Sequence, residues 1–238
     1  MIRTAGLALG CLFAASACSQ SVTLRYHYTP GTTLNYKMSI QVNMQVPSPM
    51  NSTMTMGFKT QVLKVAPNGD ATLKVSTSSP KMVSGGKEAP VNTPPQTATM
   101  TITPRGEVKG MSTQMGSMQQ FQTQFPSGPV HRGSTWETSA NQGGVKIDIK
   151  NKVVSISSSG GHQIVLISAT GAGKMNTGGA RGTIGLDISE TFDATAGVIK
   201  SVTGNIRTDL TLDSGGGKPM KMGGTQKMSL TLVNITKS

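Results

Sequence analysis

The sequence predicts a mainly β protein: antiparallel meanders forming a sandwich, an open barrel or a clam, with one short amphipathic helix between two related halves. Three observations carry this reading. Leu34 to Val46 alternates strictly, with Leu34, Tyr36, Met38, Ile40, Val42, Met44 and Val46 apolar and every residue between them polar. Met, Thr, Ser, Gly and Val dominate over Leu and aromatics, and Thr and Val suit pleated, half-buried surfaces. Between two β-patterned stretches, Met111, Met115, Met118, Phe121 and Phe125 recur at steps of 4, 3, 3 and 4, a single helical stripe.

The elements follow in chain order. Arg3, the apolar run from Ala5 to Ala15 and the small residues Ala15-Ser16-Ala17 before Cys18 read as a secretory signal over 1–17. The run is shorter than the roughly 20 apolar residues that a membrane span needs. Removing it leaves about 220 residues, enough for one β-rich domain over 18–238. The 34–46 strand ends at Pro47 and Pro49. Met54, Met56 and Phe58 resume the alternation up to about Val65. Pro67-Asn68-Gly69-Asp70 then turns the chain into an arm bearing Leu73 and Val75. The Ser/Pro/Gly-rich residues 79–96 read as a loop, and Ala98, Met100 and Ile102 as a strand ended by Pro104-Arg105-Gly106. A helix over 112–125 has Ser112 as its cap and Pro126 as its stop. β patterning returns around Trp136 and over 145–157, 163–170, 183–193, 198–212 and 226–236, with Gly-rich loops expected at 171–182 and 213–224.

The chain also repeats itself, giving halves over 22–111 and 128–236. Gly31-Thr32-Thr33-Leu34 returns as Gly133-Ser134-Thr135-Trp136. The hairpin around Val62 to Val75 returns around Val153 to Ile167, and Thr103-Pro104-Arg105-Gly106-Glu107-Val108 returns as Asp193-Ala194-Thr195-Ala196-Gly197-Val198.

These turns and strand starts, with Pro30-Gly31-Thr32-Thr33-Leu34-Asn35-Tyr36, Gly128-Pro129-Val130 and Phe192 to Ile199, resemble an uncharacterised family of bacterial envelope lipoproteins. The resemblance implies a β-rich envelope protein and assigns no catalytic residue. A looser architectural analogy is to periplasmic lipoprotein carriers, half-barrels closed by a helical lid.

Cys18 is the candidate lipidation site, since a small-small-Cys ending is what a lipoprotein signal peptidase recognises; the alternative is an ordinary cut that leaves a soluble periplasmic or secreted protein. Cys11 is removed with the signal, so no intramolecular disulfide is expected. The expected address is therefore the cell envelope, with the membrane reached through an N-terminal lipid. A formal charge of +12 favours an anionic envelope polymer or lipid as partner. Scattered basic residues (Lys59, Lys64, Lys74, Lys81, Lys146, Lys150, Lys152, Arg207) and few aromatics argue against nucleic acid.

Catalytic groupings are sparse. His27, His131 and His162 and ten carboxylates form no recognisable constellation, and Asp187 and Glu190 point to opposite faces of a strand. Gly171-Ala172-Gly173-Lys174 lacks the Ser/Thr and the earlier Gly of a phosphate loop and reads as a hairpin loop. The first functional expectation is thus a non-catalytic scaffold or interaction lipoprotein without a cofactor. An alternative is a carrier of an apolar, anionic lipid-like ligand, with Met111, Met115, Met118, Phe121 and Phe125 as lid or binding stripe. A second alternative is Cu(I) held by soft thioethers, with Met54, Met56, Met220 and Met222 as ligands and His27 or His131 adding a nitrogen.

Overall fold

The computed structural model describes residues 20–45, 49–91, 93–111, 123–142, 145–177, 180–212 and 219–237. Among them the chain forms fifteen strands and no helix. They are β1 (Ser21–Val22), β2 (Thr32–Gln45), β3 (Met50–Val65), β4 (Ala71–Thr77), β5 (Lys81–Ser84), β6 (Lys87–Ala89), β7 (Thr97–Ile102) and β8 (Val108–Met111) in the first half. The second half adds β9 (Val130–His131), β10 (Thr135–Gln142), β11 (Val145–Ser159), β12 (His162–Thr177), β13 (Ala180–Asp193), β14 (Val198–Leu212) and β15 (Met220–Lys237).

One antiparallel sheet holds thirteen of them. Its main path is β10-β11-β12-β13-β14-β15-β2-β3-β4-β7-β8, and the β5–β6 hairpin hangs from β3. The last strand lies beside the first long one, from Gly223 opposite Gln45 to Lys237 opposite Thr32, and this seam joins the two meanders. β8 and β10 form the free ends, so the sheet is open rather than a closed barrel. Both flanks nevertheless feed one core: Leu73 and Ile102 from β4 and β7 belong to the same buried cluster as Val165 and Phe192 from β12 and β13. A sheet can share one core between its flanks only by curling, which gives it an inner and an outer face.

Strand alternation explains which residues turn inward. In β2 the even-numbered Leu34 and Met38 are buried while Lys37 and Gln41 are exposed. Residues directly opposite in an antiparallel ladder share a face. Met38 faces Met56 on one side and Leu230 on the other, and Leu230 faces Val202. The inner face therefore continues across strand after strand.

The sequence repeats coincide with repeated local geometry. A β-bulge falls between Val62 and Lys64, and another between Val153 and Ser155. The Gly31 N–H donates to the Val62 carbonyl at 3.0 Å, and the Gly133 N–H to the Val153 carbonyl at 2.8 Å. Gly106 and Gly197 hold equivalent turns with φ of 89° and 68°, where a side chain is strained. Both turns also press on the chain that leads into each meander: a Cβ on Gly106 would lie 2.4 Å from the Thr123 carbonyl, and one on Gly197 2.3 Å from the His27 nitrogen. Only hydrogen fits at either place.

Four expectations are corrected. The helix over 112–125 is not formed where the chain is described: Met111 ends β8, and residues 123–126 are extended without regular structure. Met115, Met118 and Phe121 lie outside the described residues. Tertiary contacts override local period at the described end, because Phe125 is bonded by its backbone to Arg105 and buried among aromatic rings. The expected 171–182 loop is mostly strand, since β12 runs through Gly171 and Gly173 to Thr177. A Cβ on Gly171 would meet Leu186 and Ile147 at 3.0 and 3.2 Å, so these glycines mark close packing rather than a turn. The 79–96 loop contains the β5–β6 hairpin, and Met220 to Gly224 of the expected 213–224 loop belong to β15.

Candidate functional site

The inner face divides into a plugged base and an open upper part. Two extended segments cross the base. The first carries Leu24, Tyr26 and Tyr28; its Tyr26 N–H donates to the Pro104 carbonyl at 2.8 Å and its His27 N–H to the Gly197 carbonyl at 3.1 Å. The second, residues 123–125, is a strap held at each residue. The Thr123 carbonyl accepts from the Tyr26 hydroxyl at 3.2 Å, and the Gln124 carbonyl from Trp136 Nε1 at 2.7 Å. The Phe125 carbonyl accepts from Arg105 Nε at 3.0 Å, while its N–H donates to the Arg105 carbonyl at 2.8 Å. Phe125, Tyr26 and Phe192 pack with centroid separations of 4.7 to 5.5 Å.

Beside this plug lies a cavity of about 70 Å³ lined by Tyr26, Tyr28, Tyr36, Phe58, Met100 and Leu230, among others. It is well below the roughly 300–1,000 Å³ of a small-molecule pocket. Burial pushes the Tyr26, Tyr28 and Tyr36 phenols up, so all three stay protonated and neutral. The Tyr36 hydroxyl donates to the Ile199 carbonyl at 3.2 Å, which leaves an apolar wall toward the cavity.

One acid is enclosed in the base. Glu190 projects inward from β13 between Ile167 and Val202 and is 2 % exposed. Its Oε2 accepts from the Thr123 hydroxyl, and its Oε1 has no hydrogen-bond partner. Burial raises the carboxyl to about 7, with the Thr123 bond opposing. Asp187 on the same strand is exposed outward, 3.8 Å from Arg207, as alternation requires. The composition held no signal for Glu190 as the enclosed member; its inward register supplied it.

Above the base the inner face continues as a trough. Ile40, Val42, Met44, Met54, Ile206, Leu210 and Met222 are half-buried there. Register places them on the core face: Ile40 opposes Met54 and Met228, Ile206 opposes the buried Leu186, and Met222 opposes Leu210. The trough spans the β14, β15, β2 and β3 strands and is richest in Met at its open end.

The same register separates the four thioethers expected to hold copper. Met54 is level with Met228, six residues along β15 from Met222, or roughly 20 Å at the usual strand rise. Met222 is instead a diagonal neighbour of Met44, which opposes Met50, while Met56 faces Met38 in the core region. Met220 is 43 % exposed at the rim. His131 Nδ1 lies 2.9 Å from the Arg132 carbonyl oxygen. Among the described residues no group of three His, Cys, Asp or Glu could hold a metal ion. Of the helical stripe, Phe125 is a core residue and Met111 a strand end; Cys18 lies outside the described residues.

No protein-family model matches the chain, and no curated protein does. Among solved structures the chain is similar to one described as "Lipid-protein interactions in lipovitellin", with a TM-score of 0.56 and 13% sequence identity. The match covers 89% of this chain and 26% of that one, so the chain spans about a quarter of lipovitellin's length. At that identity the likeness concerns the fold: a large, open antiparallel sheet.

Proposed function

We propose that this protein is a cell-envelope carrier of a lipid-like ligand, the acyl part lying in the trough of β14, β15, β2 and β3. The observation that carries the reading is the run of half-buried apolar side chains continuing the core face beyond the plugged base. A plain scaffold has no need to leave such a face unfilled, because each buried CH₂ there would contribute about 0.8 kcal/mol. The methionines suit this role, since their unbranched, polarizable side chains adapt to chains of varied shape. The fold likeness to lipovitellin, a protein described by its lipid interactions, supports the same choice. The small cavity between Tyr26, Tyr36 and Met100 has room only for the end of a chain.

Native mass spectrometry of residues 19–238, purified from the periplasm without detergent, tests the reading. A reproducible extra mass that organic solvent extracts as a lipid is expected. Met54→Asp with Leu210→Asp is expected to lower its occupancy at least tenfold while the far-ultraviolet spectrum and cooperative melt persist. A bare polypeptide mass from every preparation, or cargo unaffected by the paired substitution, would sink the proposal. Location is a separate matter: Cys18 as an acylated N-terminus would hold the protein at a membrane. Cys18→Ser is then expected to move it from the membrane to the soluble fraction, and unchanged partition would count against the anchor.

A further inference from the structure

The outer face of the sheet is electrically divided. β15, β2, β3, β4 and β7 are contiguous and hold no acidic residue, and register turns six of their lysines outward: Lys37, Lys59, Lys64, Lys74, Lys221 and Lys227. All six are exposed, and none sits in an ion pair among the described residues. The flank β10 to β14 differs, exposing Glu137, Asp148, Asp187 and Asp209 among its basic residues. The net positive charge is therefore concentrated on one side of the molecule, which composition alone does not reveal.

Register gives the patch its pattern. Lys37 opposes Gly57, two residues from Lys59, and Lys59 opposes Ser76, two residues from Lys74. Each step is a diagonal cross-strand neighbour, roughly 7–8 Å at the backbone, so three lysines form an oblique row across three strands. Between them stand Asn35, Ser39, Gln41, Thr55 and Gln61, small polar side chains that leave the ammonium groups in water. Like charges at this spacing repel, and the repulsion is relieved when an anionic surface approaches.

We propose that the outer face of β15, β2, β3, β4 and β7 is a docking surface for an anionic lipid bilayer. The charge is spread over four strands, β15, β2, β3 and β4, instead of following a single line, which fits a plane better than a linear polyanion. Charged lysines separated by polar side chains also lack the aromatic and Arg anchors of a protein hot spot. Attraction of this type is worth roughly fivefold in partitioning per lysine at the surface and fades within a Debye length. The inference does not rest on the carrier reading, because the outer and inner faces are opposite sides of one sheet.

Residues 19–238, lacking any anchor, would be sedimented with phosphatidylcholine vesicles made with or without phosphatidylglycerol. Binding is expected only with phosphatidylglycerol and should weaken as salt is added. Lys37→Gln, Lys59→Gln and Lys74→Gln together are expected to reduce it by roughly 100-fold. The matched triple Lys150→Gln, Lys152→Gln and Lys200→Gln on the mixed flank should leave it within severalfold of wild type. Equal binding to neutral vesicles, equal losses in the two triples, or binding to a soluble acidic polysaccharide without binding to vesicles would each overturn the proposal. Vesicle binding without extractable cargo would uphold this surface and reject the carrier; cargo without vesicle binding would do the reverse.

Discussion

Glu190→Gln is expected to abolish a loss of stability that the wild-type protein shows between about pH 4.5 and 7. The Glu190 carboxyl rises from its ordinary value of 4.5 to about 7 because it is enclosed in the base. The folded state therefore holds its proton more tightly than the unfolded chain, so stability falls as pH rises through this window. The contribution is fully present below pH 4.5 and gone above about 7; the shift corresponds to about 3 kcal/mol. Gln keeps the shape and the capacity to accept from Thr123 but has no proton to lose. At pH 8 the Gln variant should exceed wild type by up to about 3 kcal/mol, with the two converging near pH 4. Asp70 works in the opposite direction and in a lower window, since its hydrogen bond from Lys109 holds its carboxyl below the ordinary value. Denaturant melts across pH 4–8 measure the difference, and parallel curves for the two proteins would refute it. Trp136 offers a second readout: it is the chain's single Trp, and its Nε1 donates to the strap residue next to Thr123. Its emission should shift with pH in the wild type and stay constant in the variant.

Phe125→Ala is the second large effect, at about 3–5 kcal/mol of destabilisation. Phe125 is 1 % exposed and stacks on Tyr26 at 4.9 Å while meeting Phe192 edge-on at 4.7 Å. The protein has only nine aromatic residues, three of them in this cluster, so few other large rings could fill the hole. The loss should lower the thermal midpoint by roughly 10 °C. It should also loosen the strap over Glu190 and admit water to the carboxyl, removing the burial that raises it, so the variant is expected to show a weaker pH dependence. A midpoint within 2 °C of wild type would mean that residues 123–125 are a removable lid rather than part of the core.

The sequence determined a good deal by local rules. Thirteen alternating residues from Leu34 to Val46 could satisfy one buried and one wet face only as a strand, and β2 occupies Thr32–Gln45. Pro67-Asn68-Gly69-Asp70 could only turn, and the Gly69 N–H does donate to the Ala66 carbonyl at 2.9 Å with φ of 85°. Asp187 and Glu190 had to part company across a strand. What local rules could not supply was partner choice. A period of 3.6 over Met111 to Phe125 looks the same whether its residues line a helix or meet different neighbours. At Phe125 the aromatic cluster and two hydrogen bonds with Arg105, one to its carbonyl and one from its Nε, prevailed over propensity. Glycines at 171 and 173 read as a loop because sequence shows a missing side chain but not the Leu186 and Ile147 atoms that fill its space. The enclosure of Glu190, the distance between Met54 and Met222, and the gathering of six lysines on one face of four acid-free strands all depend on the β15–β2 seam and its neighbours. Those pairings join residues as far apart in the chain as Thr32 and Lys237, and only the folded register brings them to one face.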